Sequence, residues 1–316
     1  MIRIGSRGSA LARWQADHIA AELRKLGQQV SIEILVTTGD RVQQAPFLQV
    51  GAKGMFTKEI EEALAEHRID LAVHSLKDLP TEMPPHFALA AIPQRADARD
   101  AFVSVRHKSF VALPHGAAVG TSSLRRQAQL RALRPDLDVR ELRGNVDTRL
   151  RKLREGQYDA IILAAAGLDR LGLAGDVREL FSPQQMCPAA GQGALAIECR
   201  ADDPATQAIV AALEHASTRF AVELERTALA TLEGGCHVPV GVYCAPQKTG
   251  WTVMGVVVRP DGSEILRERV ELHDRHEDST LAKQTGRAIA HRLLERGAAE
   301  FLAAAEAAPP AGNPAR

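Results

Sequence analysis

The sequence predicts an α/β protein of two or three domains, and three observations carry that prediction. Its 316 residues exceed the size at which one hydrophobic core usually keeps growing. Strand-like and helix-like segments alternate in two successive rounds, divided near residue 100, and alternation of this kind predicts parallel sheet. Beyond about residue 215 the order changes to consecutive strand-like stretches, which predict an antiparallel sheet.

The first round opens on a short strand over 2 to 5. Ala12, Ala16, Ile19, Leu23 and Leu26 then recur at helical spacing and stop at Gly27, so this unit reads strand, loop, helix. A strand follows over 30 to 37. Thr57, with Glu59 close behind it, starts a helix carrying Ile60, Ala63 and Leu64, which leads into the apolar strand Leu71-Ala72-Val73. The second round reads as a strand over 117 to 120, a helix from about 122, a strand over 138 to 142, a helix from 146 and a strand over 159 to 165. The last region holds a helix ending at Gly234-Gly235, strands near 238 to 245, 251 to 258 and 264 to 272, and a long helix. Residues 306 to 316, rich in Ala, Pro and Gly, are expected to be a disordered tail.

Composition narrows the function classes. The 39 basic and 39 acidic residues cancel, which removes any whole-molecule argument for nucleic acid or a membrane surface and makes an electrostatic site local. Cys187, Cys199, Cys236 and Cys244 form no C-x-x-C pair and no regular spacing, so neither a metal site nor a disulfide framework is expected and the thiols are expected to be reduced. The chain opens on a strand with no apolar signal region, and no apolar run reaches membrane-spanning length; a cytoplasmic protein is expected.

Unusual polar residues fall in loops after predicted strands: Arg7 and Ser9, then Lys77 and Asp78, then Thr121 to Arg126, then Arg143, then Arg170. Ligands of open α/β sheets bind at those carboxyl ends, and two such domains would set the loops on facing walls of one cleft. In the third loop Thr121, Ser122 and Ser123 place hydroxyls and exposed amides at a helix start, which favours an anion. Residues 125 to 154 hold ten Lys or Arg against four Asp or Glu, so the ligand is expected to be polyanionic. A solvated helix face is the alternative for Arg131, Arg134, Arg151 and Arg154. Several arginine forks in one cleft favour a substrate with many carboxylates. Nucleic acid is the competing polyanion, but aromatics make up only 4% and none interleaves with the basic run.

Two residues carry an open choice at this point. Asp78 precedes Leu79-Pro80, where an aspartate is ordinarily a turn residue; among cations it would also stay ionised and stabilise a developing positive charge. Cys236 follows Gly234-Gly235, which expose a thiol, yet a free cysteine is ordinarily a small buried apolar side chain. His74 reads as a strand-end packing residue, and His237 as a weak candidate for tuning the thiol.

Taken together, these segments resemble the porphobilinogen deaminase family nearly end to end. The resemblance runs through Gly-Ser-Arg-Gly-Ser-Ala-Leu-Ala-Arg-Trp-Gln at 5 to 15, Lys-Gly-Met-Phe at 53 to 56 and Val-His-Ser-Leu-Lys-Asp-Leu-Pro-Thr at 73 to 81. It continues through Gly-Thr-Ser-Ser-Leu-Arg-Arg-Gln at 120 to 127, Arg-Gly-Asn-Val-Asp-Thr-Arg-Leu at 143 to 150, Ala-Ala-Gly-Gln-Gly-Ala at 189 to 194 and Glu-Gly-Gly-Cys-His-Val-Pro at 233 to 239. It implies three domains: 1 to 96 with about 194 to 211 crossing back, 99 to 190, and 216 to 305. The first two are similar α/β domains like type II periplasmic binding proteins, and the third is a small α+β domain with a three-stranded antiparallel sheet.

The resemblance also implies the chemistry. Family members join four porphobilinogen molecules head to tail, release ammonia at each addition and liberate hydroxymethylbilane, on the way to heme and other tetrapyrroles. The chain grows on a dipyrromethane primer held by a thioether, by motif position at Cys236. Asp78 would be the catalytic carboxylate, assisting amine loss and stabilising a cationic azafulvene-like intermediate. Arg7, Ser9, Gln15, Lys53, Ser75, Lys77, Thr121, Ser122, Ser123, Arg125, Arg126, Arg143, Asn145, Arg149, Arg170 and Gln192 would bind primer and substrate. No metal, nucleic acid or membrane is implied, and a monomer is expected. Met55 stands where the family has leucine, a change neutral by volume; Asp169 sets an acid beside Arg170 that would compete for it. A solute-binding or sensory protein, closing the same cleft without catalysis, is the rival class.

Overall fold

The computed structural model of the chain describes residues 1–37, 57–232, 238–273 and 275–307. Lys53, Met55, Cys236, His237, the Gly234-Gly235 turn and the tail from 308 lie outside the described residues. Residues 306 and 307 of the expected tail close a helix, because the Ala-rich run from Ala298 continues helical to Ala307.

Three sheets organise the described chain. The first is built from β1 (Ile2–Arg7), β2 (Val30–Leu35), β3 (Leu71–Ser75), β4 (Phe87–Ala91) and β10 (Leu195–Arg200), in the order β2-β1-β3-β10-β4. The second is built from β5 (Asp100–Val103), β6 (Ala118–Gly120), β7 (Asp138–Arg140), β8 (Ala160–Ala164) and β9 (Val177–Leu180), in the order β7-β6-β8-β5-β9. The two orders are the same pattern. The parallel sheets expected from the alternation are corrected to mixed ones: β1 pairs parallel with β2 and β3, while β10 runs antiparallel to β3 and β4. In the second sheet β5 likewise runs antiparallel to β8 and β9. The reason is the chain path, since β5 and β10 enter their sheets from the segments that cross between the two units and so arrive from the opposite end.

Helices cover both faces of these sheets, as buried parallel pairs require. Helix α1 (Ala10–Lys25) is capped by Ser9, whose hydroxyl accepts from the Ala12 amide at 3.3 Å. Its Ala16, Ile19 and Leu23 pack with Ile4, Val73 and Ile197, whereas Leu26, beyond the last helical turn, is exposed and does not join that stripe. Helix α2 (Lys58–Ala65) packs Ile60 and Leu64 on the other face with Leu35 and Phe87. In the second unit, α3 (Leu124–Leu133) is capped by Ser123, followed by α4 (Val146–Arg154) and the short α5 (Ala165–Arg170). Ile162 faces one core with Phe102 and Phe181, and its neighbours Ile161 and Leu163 face the other with Leu150 and Leu168, the period-2 alternation of a strand buried on both sides.

After α6 (Pro204–Val210), the third unit sets α7 (Ala216–Thr231), α8 (Ser279–Glu295) and α9 (Ala298–Ala307) on one face of the antiparallel sheet β11 (Val240–Gln247), β12 (Gly250–Val258) and β13 (Ile265–Leu272). The other face meets the second unit, where Met254, Val256 and Val258 pack against Ala128 and Cys187. Among the described residues no helix is long and apolar enough to cross a membrane.

Candidate active site

The two crossing segments touch, and that contact is the floor of the site. The Ala96 amide donates to the Gly193 carbonyl at 3.2 Å. Gly193 has φ +88°, and a Cβ there would stand 2.7 Å from the Ala96 carbonyl oxygen, so only glycine fits. Gln192, fully buried beside it, donates through Nε2 to the Ala98 carbonyl at 2.7 Å and to Asp100 at 2.9 Å. Its Oε1 accepts at 3.4 Å from both Lys77 and Arg126. One amide therefore joins the loop after β3 of the first sheet to α3 of the second.

Asp78 lies at the end of a 3-10 turn, Leu76–Asp78, that continues β3. Buried Leu76 pins that turn: its amide donates to the Ala194 carbonyl at 3.0 Å. Gln15, buried in α1, donates to the Ser75 hydroxyl at 2.8 Å and ties the start of the turn to the first helix. Lys77 is half-buried and Asp78 exposed. Desolvation of the buried part of its side chain, and then the nearby Arg126, bring the Lys77 ammonium down to about 8, against the opposite pull of Asp78 and Asp100. Asp78 exerts the same stabilising field on Arg126 and Arg149, so one exposed carboxylate stands among three cations from both units.

The cations divide into two classes. Arg125 and Arg126 are buried and taken up by the buried Asp100: Arg125 Nη1 donates to it at 2.7 Å, and Arg126 Nε at 2.9 Å. Arg125 also donates to the Cys187 carbonyl at 2.6 Å, and Arg126 to that of Ile162 at 3.2 Å. Burial opposes ionisation of Asp100, but the two arginines hold its carboxyl far below the usual carboxylate range. Arg143 pairs with Glu141 through Nε at 2.7 Å. The second class has neutral acceptors. Arg149 donates to the Gly144 carbonyl and Arg170 to the Gly193 carbonyl, each at 2.7 Å, and Arg170 also lies over the Trp14 ring at 5.7 Å. Among the described residues none of Lys77, Arg149 and Arg170 has a carboxylate within ion-pair distance. Burial lowers Arg149 and Arg170 to about 10 each.

The sequence expects Arg125 and Arg126 to bind ligand carboxylates; the structure places both against Asp100, 25 and 26 residues upstream in sequence, with Arg125 Nε left without a partner. The excess charge of residues 125 to 154 is trimmed further by acids outside that segment, Arg151 pairing with Glu155 and Arg154 with Asp176. Asp169, expected to compete for Arg170, is exposed, and the Arg170 guanidinium turns instead to Gly193. Thr121 is buried, with its hydroxyl accepting from the Ser123 amide at 3.3 Å; Ser122 is exposed, and the Ser123 hydroxyl caps α3 through the Arg126 amide at 3.5 Å. Asn145 stands at the start of α4 without a side-chain cap bond, and Arg7 at the end of β1 is half-buried. His74 packs inside the first unit, 2.9 Å from Glu198.

Two residues escaped sequence reasoning. Asp100 opens an apolar strand, Asp-Ala-Phe-Val, and that lone acid before a buried run was the available signal. Glu225, fully buried in α7, accepts from Arg95 at 2.6 Å, from the Gly191 amide at 2.7 Å and from the Cys244 amide at 2.8 Å, so the third unit is fastened to both crossing segments. The described cysteines are buried thiols: burial pushes Cys187 up to about 12, Cys199 up to about 11 and Cys244 well above the ordinary value, which makes them poor nucleophiles.

A family model described as porphobilinogen deaminase, dipyromethane cofactor binding domain, matches residues 2–208, and one described as porphobilinogen deaminase, C-terminal domain, matches residues 219–295. A porphobilinogen deaminase of Nitratidesulfovibrio vulgaris is 50% identical over 303 residues, covering 95% of each chain. Among solved structures, a nutrient binding protein from Burkholderia cenocepacia bound to methionine is 16% identical, with a TM-score of 0.44, over 69% of this chain and 94% of its own. A periplasmic substrate-binding protein of an ABC transporter from Coxiella burnetii is 18% identical, with a TM-score of 0.42, over 67% and 92%.

Proposed function

The chain belongs to the porphobilinogen deaminase family, and on that premise we propose that Asp78 is its catalytic carboxylate, with Lys77, Arg149 and Arg170 as the cations that take up ligand carboxylates. The enzyme is a transferase that condenses four porphobilinogen molecules and releases ammonia and hydroxymethylbilane in tetrapyrrole biosynthesis. The segment through residue 208 is its dipyrromethane-binding part. The observation that carries the residue assignment is that one exposed carboxylate, Asp78, acts on cations of both units, of which Lys77 and Arg149 have neutral hydrogen-bond partners only; Arg170 is a further cation with a neutral acceptor.

These residues fit a ligand with several carboxylates. A cation already paired with an acid has little left to offer an incoming anion, whereas Lys77, Arg149 and Arg170 each keep donors for it. Lys53 and Arg7 extend this set in our reading, with Ser9, Ser122 and Ser123 as hydroxyl donors at two helix starts. Gln15, Ser75, Thr121, Asn145 and Gln192 complete the polar primer- and substrate-binding set in this reading. When bound, dipyrromethane supplies the nucleophilic pyrrole carbon that starts the chain. In our reading it is anchored by a thioether at Cys236, a choice supported by the inertness of the other three thiols.

In this reading the Asp78 carboxylate faces the aminomethyl carbon of porphobilinogen. As ammonia leaves, positive charge develops on the substrate, and the fixed carboxylate stabilises it with no reorganisation at the moment of reaction. Lys77 and the arginines hold the acetate and propionate groups, which fixes the approach. The rest of the reading is a cytoplasmic monomer with domains of 1 to 96 plus 194 to 211, 99 to 190 and 216 to 305. β10 inside the first sheet, cores completed within one chain and free cysteines support it.

The test is the intact mass of the denatured wild type beside Cys236→Ser. An excess equal to one dipyrromethane on the wild type and none on the variant is expected. The same excess on both would move the anchor elsewhere.

A further inference from the structure

We propose that Asp100 is a positioning residue for the condensation: from behind the cleft floor it engages Arg125, Arg126 and Gln192, and so leaves Lys77 as the floor's working cation. Three partners converge on this one carboxylate. Oδ2 accepts from Arg125 at 2.7 Å, and Oδ1 accepts from Arg126 Nε and from Gln192 Nε2, each at 2.9 Å. The Gln192 amide is thereby oriented with its oxygen toward Lys77 and Arg126. Arg125 keeps a buried Nε without a hydrogen-bond partner, so its position follows from the acid and the Cys187 carbonyl and not from complete satisfaction of its donors.

The inference rests on the reading that Lys77 and Asp78 face substrate. The charged groups around Lys77 are Asp78 on its own turn, Arg125 and Arg126 from α3, and Asp100 from β5. Two of these are cations that suppress the ammonium, and Asp100 is the buried anion that offsets them. Without it, Lys77 would sit beside two uncompensated guanidinium groups and lose its proton at lower pH. It would then fail to bind carboxylates, while Asp78, which performs the bond-breaking step, would be untouched. A purely structural strut has no reason to divide its effect in that way.

The experiment compares steady-state kinetics with porphobilinogen from pH 6 to 10 (the range is roughly that over which such a lysine titrates) in wild type, Asp100→Asn, Asp100→Glu and Lys77→Ala. For folded Asp100→Asn we expect KM to rise about tenfold with kcat changed less. The alkaline fall in kcat/KM should move down by roughly one pH unit, and Asp100→Glu should restore much of it. Because the loss of Asp100 strands two buried guanidinium charges, Asp100→Asn/Arg125→Gln is measured as well, keeping the buried charge balanced. An alkaline limb at the wild-type pH in folded Asp100→Asn overturns the proposal, as does a limb displaced just as far in the charge-balanced double variant, and failure of Asp100→Asn to fold leaves Asp100 a folding strut and overturns it too. If Lys77→Ala keeps the wild-type limb, the fault lies with the reading of Lys77 instead.

Discussion

The first and second sheets have the same strand order and differ in what they do with charge. In the first unit the loop after β3 carries Lys77 and Asp78, one half-buried and one exposed, and the buried polar groups include His74 with Glu198 and Arg200 of β10. In the second unit the equivalent strand β8 leads to α5 and Arg170, and the buried charges are Arg125, Arg126 and Asp100 at the floor itself. The lesson is that topology places loops and does not assign roles. The first unit presents an acid that faces solvent, while the second supplies cations, some spent on an internal acid and some left open. Catalysis needs the carboxylate accessible; binding needs cations whose donors are not already occupied.

The sharpest way to break this comparison is to remove the charge of the first unit's acid. Asp78→Asn should fold normally, because the side chain is exposed and changes by one atom, and should lose about 10²–10⁴ in kcat, the range for a lost acid–base or charge-stabilising group. Rapid-quench turnover with porphobilinogen measures it. Near-normal turnover would return Asp78 to the status of a turn residue.

Next in size is the floor that the two units share. Gly193→Ala forces a left-handed residue and brings Cβ to 2.7 Å from the Ala96 carbonyl, so the crossing segments must part. We expect a loss of about 1–3 kcal/mol, read by urea unfolding, together with a raised KM. A variant as stable as wild type would mean that the two segments separate readily.

A smaller effect distinguishes the open cations from the spent ones. With Lys77 at about 8, protons leave it as the pH rises through that value, so KM for porphobilinogen should climb above pH 8 with kcat less affected. Lys77→Gln should remove that climb and raise KM by about tenfold at neutral pH, the loss of one charged hydrogen bond. Arg143→Gln, which releases only a paired guanidinium at the surface, should change KM less.

Much of this was legible in the sequence because it follows from local pattern. The apolar face of α1, the stop at Gly27 and the three final strands are read from spacing, and the loops carrying Ser9, Asp78 and Ser123 follow from the strands before them. The antiparallel β5 and β10 were not legible, since neither strand's direction is encoded locally; it depends on where the chain crosses between units. The same holds for the arginines. Arg125 and Arg126 look alike with Arg149 and Arg170 in sequence, and only the fold brings Asp100 against the first two. Glu225 gives the clearest case, as an acid amid apolar helix residues whose partners lie 19 to 130 residues away.

The finest test uses a position at which the two units match in both fold and residue. Ser9 and Ser123 follow the matching strands β1 and β6 of the two sheets and each cap the next helix, at 3.3 and 3.5 Å. As caps alone, Ser9→Ala and Ser123→Ala should each cost about 1 kcal/mol in urea unfolding and leave KM unchanged. As ligand contacts they should raise KM beyond anything the stability loss explains, because the hydroxyl would then serve the ligand at the end of the helix where the dipole favours an anion. Glycine separates the two roles. A Gly at an N-cap costs only a few tenths of a kcal/mol, so Ser9→Gly and Ser123→Gly keep the helix start and delete the hydroxyl. A raised KM in Ser123→Gly with a wild-type value in Ser9→Gly would place carboxylate recognition in the second unit and leave the first with the chemistry. Equal effects in both would erase that division and make the two walls partners in binding.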